Sequence, residues 1–202
     1  MRRTKEEAAQ TRQDLLAAAL TIFSQKGYEA ARLEDIAEMA GVTRGAIYFH
    51  FGNKARLFMA LVEDASALGA QAIDNAVQGG GTFAEITGRI LVNTLSLLED
   101  DRRFREVMAL SLSVRESSPE LADFSHRRSE EALNLVGNIS GFFQMGISQG
   151  DLRVDLDPLA AARALLAYQN GLAMLWLANP DAFSIKESAP AFADLFLSGV
   201  LA

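Results

Sequence analysis

The chain is 202 residues long, 50% hydrophobic and free of cysteine, so it can bury a sizeable core in one large or two small domains and has no disulfide or thiolate metal site. Two histidines leave any zinc site dependent on carboxylates, and the one Asp-x-x-His pair, Asp123 with His126, has no second pair to mirror it; it is read as an exposed helix face, with no metal and no cofactor. The net charge of −7, taken whole, speaks against a nucleic-acid partner.

At the start, Arg2, Arg3 and Lys5 are followed at once by Glu6 and Glu7, and LLAAAL is too short for the apolar part of a secretion signal. The longest apolar stretch, Ala164 to Ala178, is interrupted by Gln169 and Asn170 and is too short to span a bilayer. A soluble, cytoplasmic chain with no membrane partner is expected. Thr4 and Glu7 have the spacing of a capping box. Leu15, Leu16, Ala19, Leu20 and Phe23 then give the first helix an apolar stripe, and Lys26-Gly27 ends it. Its expected task is to pack across the two helices that follow, making a three-helix domain.

Those two helices lie in Leu33 to Lys54, LEDIAEMAGVTRGAIYFHFGNK. Leu33, Ile36, Ala37 and Ala40 recur at i, i+3, i+4 and i+7, an apolar stripe on one helix. Gly41 stands where that helix must stop, since glycine enters the left-handed region without steric cost. Thr43 is placed to cap a second helix by accepting a backbone N–H. Ile47 faces back toward the first helix, and small Ala37 lets the two cross closely, which is the spacing of a helix-turn-helix. Arg44 occupies the first turn of the second helix, where the dipole is already positive, so an anion or a guanine edge is expected to complete its site; a bidentate fork on guanine is the commonest specific base contact. Gly45 leaves room for DNA to approach, and Tyr48 and His50 add donors at the far end. Asn53 is placed to cap the next helix, with Lys54 in its first turn, where free N–H groups favour phosphate. The charge is divided to match: residues 1–56 hold nine Lys or Arg and seven Asp or Glu, a balance of +2, while residues 57–202 carry −9. That asymmetry fits one DNA-facing end on an acidic body.

GVTRGAIYFHFGNKARLF resembles the DNA-reading segment of TetR-family transcriptional regulators, and TKEEAAQTRQDLLAAALTIFSQKGYEAARLEDIAEMAG extends the likeness across the whole first domain. The resemblance implies an all-α fold with a three-helix helix-turn-helix domain, residues 1–56, and a helical ligand-binding and dimerisation domain, residues 57–202. It implies a repressor that holds double-stranded DNA as a homodimer. Two positions depart from the family pattern. Arg32 stands where Ser or Thr usually opens the first helix of the motif, so a hydroxyl cap and a short phosphate contact are lost, although Arg32 can reach a phosphate from farther out. Phe49 stands where Tyr or Trp is common, so a phosphate donor is lost there too.

From Asn53 a longer helix is expected to run to about Val77, with Leu57, Leu61, Val62 and Ala65 inward. Gly79-Gly80-Gly81 breaks it as an interhelix loop; without a following Lys-Ser/Thr or a preceding strand it is no phosphate loop. Thr82 and Glu85 form another capping box for a helix to Leu98. An acidic-basic knot, Glu99 to Arg105, precedes a helix through Met108, Leu112 and Val114. Ser118-Pro119 is a cap with proline at the first helical position. The helix after it reaches Gln149, roughly 45 Å at ~1.5 Å per residue, and Gly150 closes it. GDLRVDLDP is the only strand-like stretch, too short for a sheet. Asp157-Pro158 starts a helix that is apolar nearly all round, with Leu159, Ala162, Leu165, Leu166, Tyr168, Leu172, Leu175 and Trp176, so it needs cover on both sides. After Asn179-Pro180 the last helix shows Phe192, Leu195, Phe196 and Gly199 at i, i+3, i+4 and i+7. These two helices are expected to make a four-helix interface with a symmetry mate; the other reading makes both central core helices, and the pairing of half-sites by helix-turn-helix dimers tips the choice.

DPLAAARALLAYQNGLAMLWLANPDAFSIKE is similar to the end of TetR-family repressors that control multidrug efflux pumps, which implies a small hydrophobic effector. Flexible and aromatic walls with a few polar groups suit an apolar pocket of loose specificity: Phe104, Met108, Leu112, Phe142 and Trp176, with Asn138 and Asn170 as anchors. Each of these also fits an ordinary core position. There is no Gly-x-Ser-x-Gly elbow, no Gly-x-Gly-x-x-Gly after a strand and no cysteine nucleophile, so an enzyme is not expected. Two alternatives stay open: a DNA-binding regulator without a small ligand, or a helical binding protein whose DNA contact is weakened at Arg32 and Phe49.

Overall fold

The computed structural model describes residues 5–114 and 121–202, without the side chains of residues 122–125 and 128. Thr4 of the first capping box, the Ser118-Pro119 cap and the side chain of Asp123 lie outside the described residues. Those residues form α1 (Lys5–Ala30), α2 (Leu33–Met39), α3 (Arg44–Phe51), α4 (Lys54–Gln78), α5 (Phe83–Asp100), α6 (Arg102–Ser113), α7 (Ala122–Gln149), α8 (Pro158–Ala178) and α9 (Ile185–Ser198), with a 3₁₀ turn at Pro180–Ala182 and no strand. None of these helices is long and apolar enough to cross a membrane. Contacts divide the chain into two compact units, one from Met1–Ala67 and Glu106–Ser125, the other from Leu68–Arg105 and His126–Ala202.

In the first unit, α1 buries the stripe expected of it: Leu15, Leu16, Ala19 and Phe23 are wholly inaccessible. Gly27, at φ 75°, interrupts α1 after Lys26, where a left-handed turn suits glycine. The break turns Tyr28 inward, and its ring meets Phe23 at 5.6 Å and Phe58 at 5.2 Å between centroids. Ile36, Ile47, Leu57, Phe58 and Leu61 complete this core with no exposed surface. Each such large side chain contributes about 1.5–3 kcal/mol on burial, so the opening turns of α4 add to the core that α1 builds under the helix-turn-helix.

In the second unit, α5 packs chiefly against α9. Its core joins Phe83, Leu91, Phe143, Leu152, Ala162, Leu165, Ala193 and Leu197; small Ala162 and Ala193 let α8 and α9 each approach α5. Thr82 and Glu85 make the capping box, with the Thr82 N–H donating to Glu85 Oε2 at 2.9 Å and the Glu85 N–H to Thr82 Oγ1 at 3.3 Å. The knot at residues 99–105 is helical on both sides of a one-residue joint. The Asp101 carboxylate accepts from the Phe104 N–H at 2.8 Å, and that cap lets α6 begin at once. Glu99 reaches forward instead, accepting from the Ser184 hydroxyl at 3.0 Å and the Lys186 N–H at 3.0 Å, which ties α5 to the start of α9. The strand-like GDLRVDLDP makes a single antiparallel bridge, Leu152 with Leu201. In the single chain Leu159, Met174 and Leu175 of α8 and Leu195 of α9 stay 39%, 52%, 63% and 70% exposed.

Candidate nucleic-acid interface

The turn between α2 and α3 is fixed by its backbone. The Val42 N–H donates to the Ala37 carbonyl at 2.9 Å and the Gly41 N–H to that of Glu38 at 3.0 Å, the paired bonds of a Schellman ending. Gly41 has φ 66°, as that ending requires. Thr43 holds the N-cap position in extended conformation, but its side chain makes no capping hydrogen bond, contrary to the expectation for it. Its carbonyl accepts from Ala46 at 2.9 Å instead, and its hydroxyl stays on the exposed side. Arg32 likewise opens α2 without a side-chain cap, the loss expected when a hydroxyl is replaced there. Asn53 caps α4 as expected, accepting from the Arg56 N–H at 2.8 Å.

Buried Ile47 and Phe51 hold α3 from behind, which turns Thr43, Arg44, Gly45, Tyr48 and Phe49 outward. Arg44 is not a bare cation. One terminal nitrogen is ion-paired with Glu34 of α2. The other donates to the Tyr48 hydroxyl at 2.6 Å, and the guanidinium lies 5.3 Å from the centre of the Tyr48 ring. The Tyr48 hydrogen bond, then the Glu34 charge, hold the Arg44 pKa above its usual value. An anion was expected to complete this site, and within the chain Glu34 supplies one. Phe49 is 83% exposed and meets His50 edge-on at 5.0 Å. An open cleft of about 870 Å³ runs past Ala8, Gly41, Val42, Thr43, Gly45, Ala46, Phe49 and His50. A Cβ on Gly45 would approach the Thr43 hydroxyl at 3.6 Å, so this glycine keeps the cleft floor low.

Lys54 faces α1 rather than outward alone. Its ammonium donates to the carbonyls of Glu29 and Ala31 at 3.1 Å each and lies 4.5 Å from the centre of the Tyr28 ring. Lys26 bonds Asp35 at 2.7 Å, tying the end of α1 to α2 and holding the Asp35 carboxyl below its usual pKa. Sequence patterns missed Glu34 as part of this face. Glu34 reads as an ordinary acid in the first turn of a helix, and no periodic rule pairs it with a residue ten positions on, across a turn.

The groups expected around an effector are spread. Met108 and Leu112 stand on α6 in the first unit, half-buried and 44% exposed. In the second unit Phe104 and Trp176 are buried, at 8% and 2% exposed. The Trp176 N–H donates to the Phe183 carbonyl at 3.0 Å, and Arg105 lies 5.8 Å from the centre of its ring. Phe142 stacks on Phe83 at 4.6 Å in the core. Asn138 and Asn170 are exposed on their helices. Of these seven, only Phe104, Phe142 and Trp176 are buried or half-buried in the second unit, and the core cluster on which Phe142 packs includes neither Phe104 nor Trp176. Gln169, beside Asn170, donates to the Thr94 hydroxyl at 2.7 Å.

Residues 15–61 match the family of bacterial regulatory proteins of the tetR type, and residues 84–201 match the C-terminal region of MAATS-type transcriptional repressors. The HTH-type transcriptional regulator TtgR of Pseudomonas putida is 32% identical over 92% of this chain and 89% of its own. The HTH-type transcriptional repressor BepR of Brucella suis is 31% identical over 92% and 89%. Among solved structures, NalD, the secondary repressor of the MexAB-OprM multidrug efflux pump in Pseudomonas aeruginosa, superposes with a TM-score of 0.81 at 26% identity, covering 98% of each chain.

Proposed function

Because the chain belongs to the TetR family of bacterial regulatory proteins, we propose that it is a ligand-responsive transcriptional repressor, which holds a palindromic operator as a homodimer and releases it when a small hydrophobic effector binds. The observation that carries the reading is the outward face of α3: Thr43, Arg44, Gly45 and Tyr48 stand exposed on a helix held from behind by Ile47 and Phe51. A helix so held can enter a major groove as a rigid body. Arg44 reads a base there, guanine by its fork geometry, and Thr43 meets a base edge or a thymine methyl. Tyr48, His50, Arg32 and the outer side of Lys54 hold phosphates and set register. Residues 1–56 carry the reading, and residues 57–202 carry effector binding and the dimer contact.

The effector groups in the second unit are the apolar Phe104, Phe142 and Trp176, with Asn138 and Asn170 offering amides. An effector favours a dimer state in which the two heads no longer match half-sites about 34–36 Å apart, and release follows from its differential affinity for the two states. The likeness to NalD, a repressor of a multidrug efflux pump, supports an efflux pump as the regulated product. The chain acts by binding, with no substrate turnover, in the cytoplasm where the chromosome is. The test is a gel-shift titration, at two salt concentrations, with the DNA immediately upstream of this protein's own gene. A tight, salt-sensitive shift that random competitor DNA cannot remove is expected, and hydrophobic drugs added to the same reaction should abolish it. A shift no stronger than that on random duplex would reject this operator, and drugs that never alter the protein's melting temperature would reject the effector.

A further inference from the structure

We propose that Glu34 sets the DNA affinity of the reading head by competing with DNA for Arg44. The inference rests on the reading above, in which Arg44 meets a base. In the free protein both terminal nitrogens of Arg44 are engaged, one by the Glu34 carboxylate and one by the Tyr48 hydroxyl. A fork onto guanine needs two adjacent N–H groups aimed at the base, and Glu34 and Tyr48 each hold one terminal nitrogen of the same guanidinium, so both compete with a base for its position. Glu34 is the stronger rival, because it bears a full charge and hydrogen bonds to charged groups exceed neutral ones. It is also accessible: the Arg44 and Glu34 side chains are 52% and 56% exposed, so the carboxylate is left facing phosphates when Arg44 leaves it, charge against like charge.

Glu34 has no comparable task in holding the fold. Its neighbour Asp35 already ties α2 to α1 through Lys26 at 2.7 Å, while the partner of Glu34 is the DNA-facing side chain itself. An exposed ion pair is worth little, at most about a fivefold effect on an equilibrium, so Glu34 tunes the grip of the head rather than switching it.

The experiment uses the full chain and a duplex selected from a randomised pool by the wild-type protein. Affinities for that duplex are measured by fluorescence anisotropy for the wild type, Glu34→Gln, Arg44→Ala and the double variant, with thermal melts as a check on folding. Glu34→Gln keeps the shape and loses the charge. It should bind about three- to fivefold tighter per reading head, and that gain should shrink or vanish when Arg44 is also replaced by Ala. Equal gains with and without Arg44 would overturn the competition, reducing Glu34 to a general repulsion of DNA. So would unchanged or weaker binding by Glu34→Gln, the second of which would make Glu34 a prop for Arg44. If Arg44→Ala weakens binding while Glu34→Gln changes nothing, only the competition falls. If Arg44→Ala binds as tightly as the wild type, the base-reading role of Arg44 falls with it.

Discussion

Arg44, Lys54 and Gly146 show how far a residue's role departs from its type. Arg44 reads by sequence as a cation seeking an anion, and the fold gives it Glu34 and Tyr48 before any DNA arrives. Lys54 reads as a phosphate contact, yet it also bridges two carbonyls of α1 and covers the Tyr28 ring. Lys54→Met keeps the stem and removes the donors. It should weaken binding to every sequence with a shallower salt dependence, and should also lower the melting temperature by about 2–4 °C; an unchanged melting temperature would sink the anchoring role. Gly146 has a sharper constraint. A Cβ there would lie 2.8 Å from Phe83 and 2.9 Å from Leu152, inside the core of the second unit. Gly146→Ala should cost about 1–3 kcal/mol through overpacking, measured by chemical denaturation, although alanine favours helices elsewhere.

At the scale of elements, the ends of helices carry the most readable energetics. Thr82→Ala removes the acceptor that opens α5 and should cost about 1 kcal/mol, read as a lower denaturation midpoint. Glu85, its partner in the box, has a pKa below the ordinary 4.5 because the Thr82 N–H and then the Thr82 hydroxyl hydrogen-bond its charged form. A depressed carboxylate stabilises the fold above its unfolded value and loses that contribution as pH falls through the folded one. Glu85→Gln should therefore be less stable than the wild type at neutral pH and equal to it in acid below the ordinary glutamate range. Melting curves taken down that pH series would refute the box's electrostatic share if the gap stayed constant. The joint at Asp101 follows the same logic: one well-placed carboxylate lets α6 start where the alternation of charges alone suggests only irregular chain.

For the whole molecule, the exposed apolar side chains of α8 and α9 matter most. Met174, Leu175 and Leu195 are more than half exposed in the single chain, while Ala161, Ala162, Ala189 and Ala193 of the same helices are buried. A dimer of this family member would cover them. Leu195→Glu should leave the helical content intact and weaken association, seen as a lighter species by sedimentation, and should weaken operator binding in proportion, because two linked heads bind far more tightly than one. A variant that stays dimeric would place the contact elsewhere.

Periodicity, caps and glycine breaks act within four or five residues, so the sequence by itself determined the all-helical class, the ends at Gly27, Gly41 and Gly150, the caps at Asn53, Thr82 and Asp157, and the outward character of Arg44 and Tyr48. Tertiary structure decided what depends on partners farther along the chain: Glu34 against Arg44, Lys54 turned to the end of α1, Phe58 joining the core of the reading head, Glu99 fastening α9, and Leu152 pairing with Leu201. It also decided that Thr43 caps nothing with its side chain, since the backbone alone closes the turn, and that Phe142 lies in a core stack while Asn138 and Asn170 face outward. Side chains of one type share the same local pattern whether they end up in a core, at a cavity or in solvent, and only packing against distant elements separates these fates.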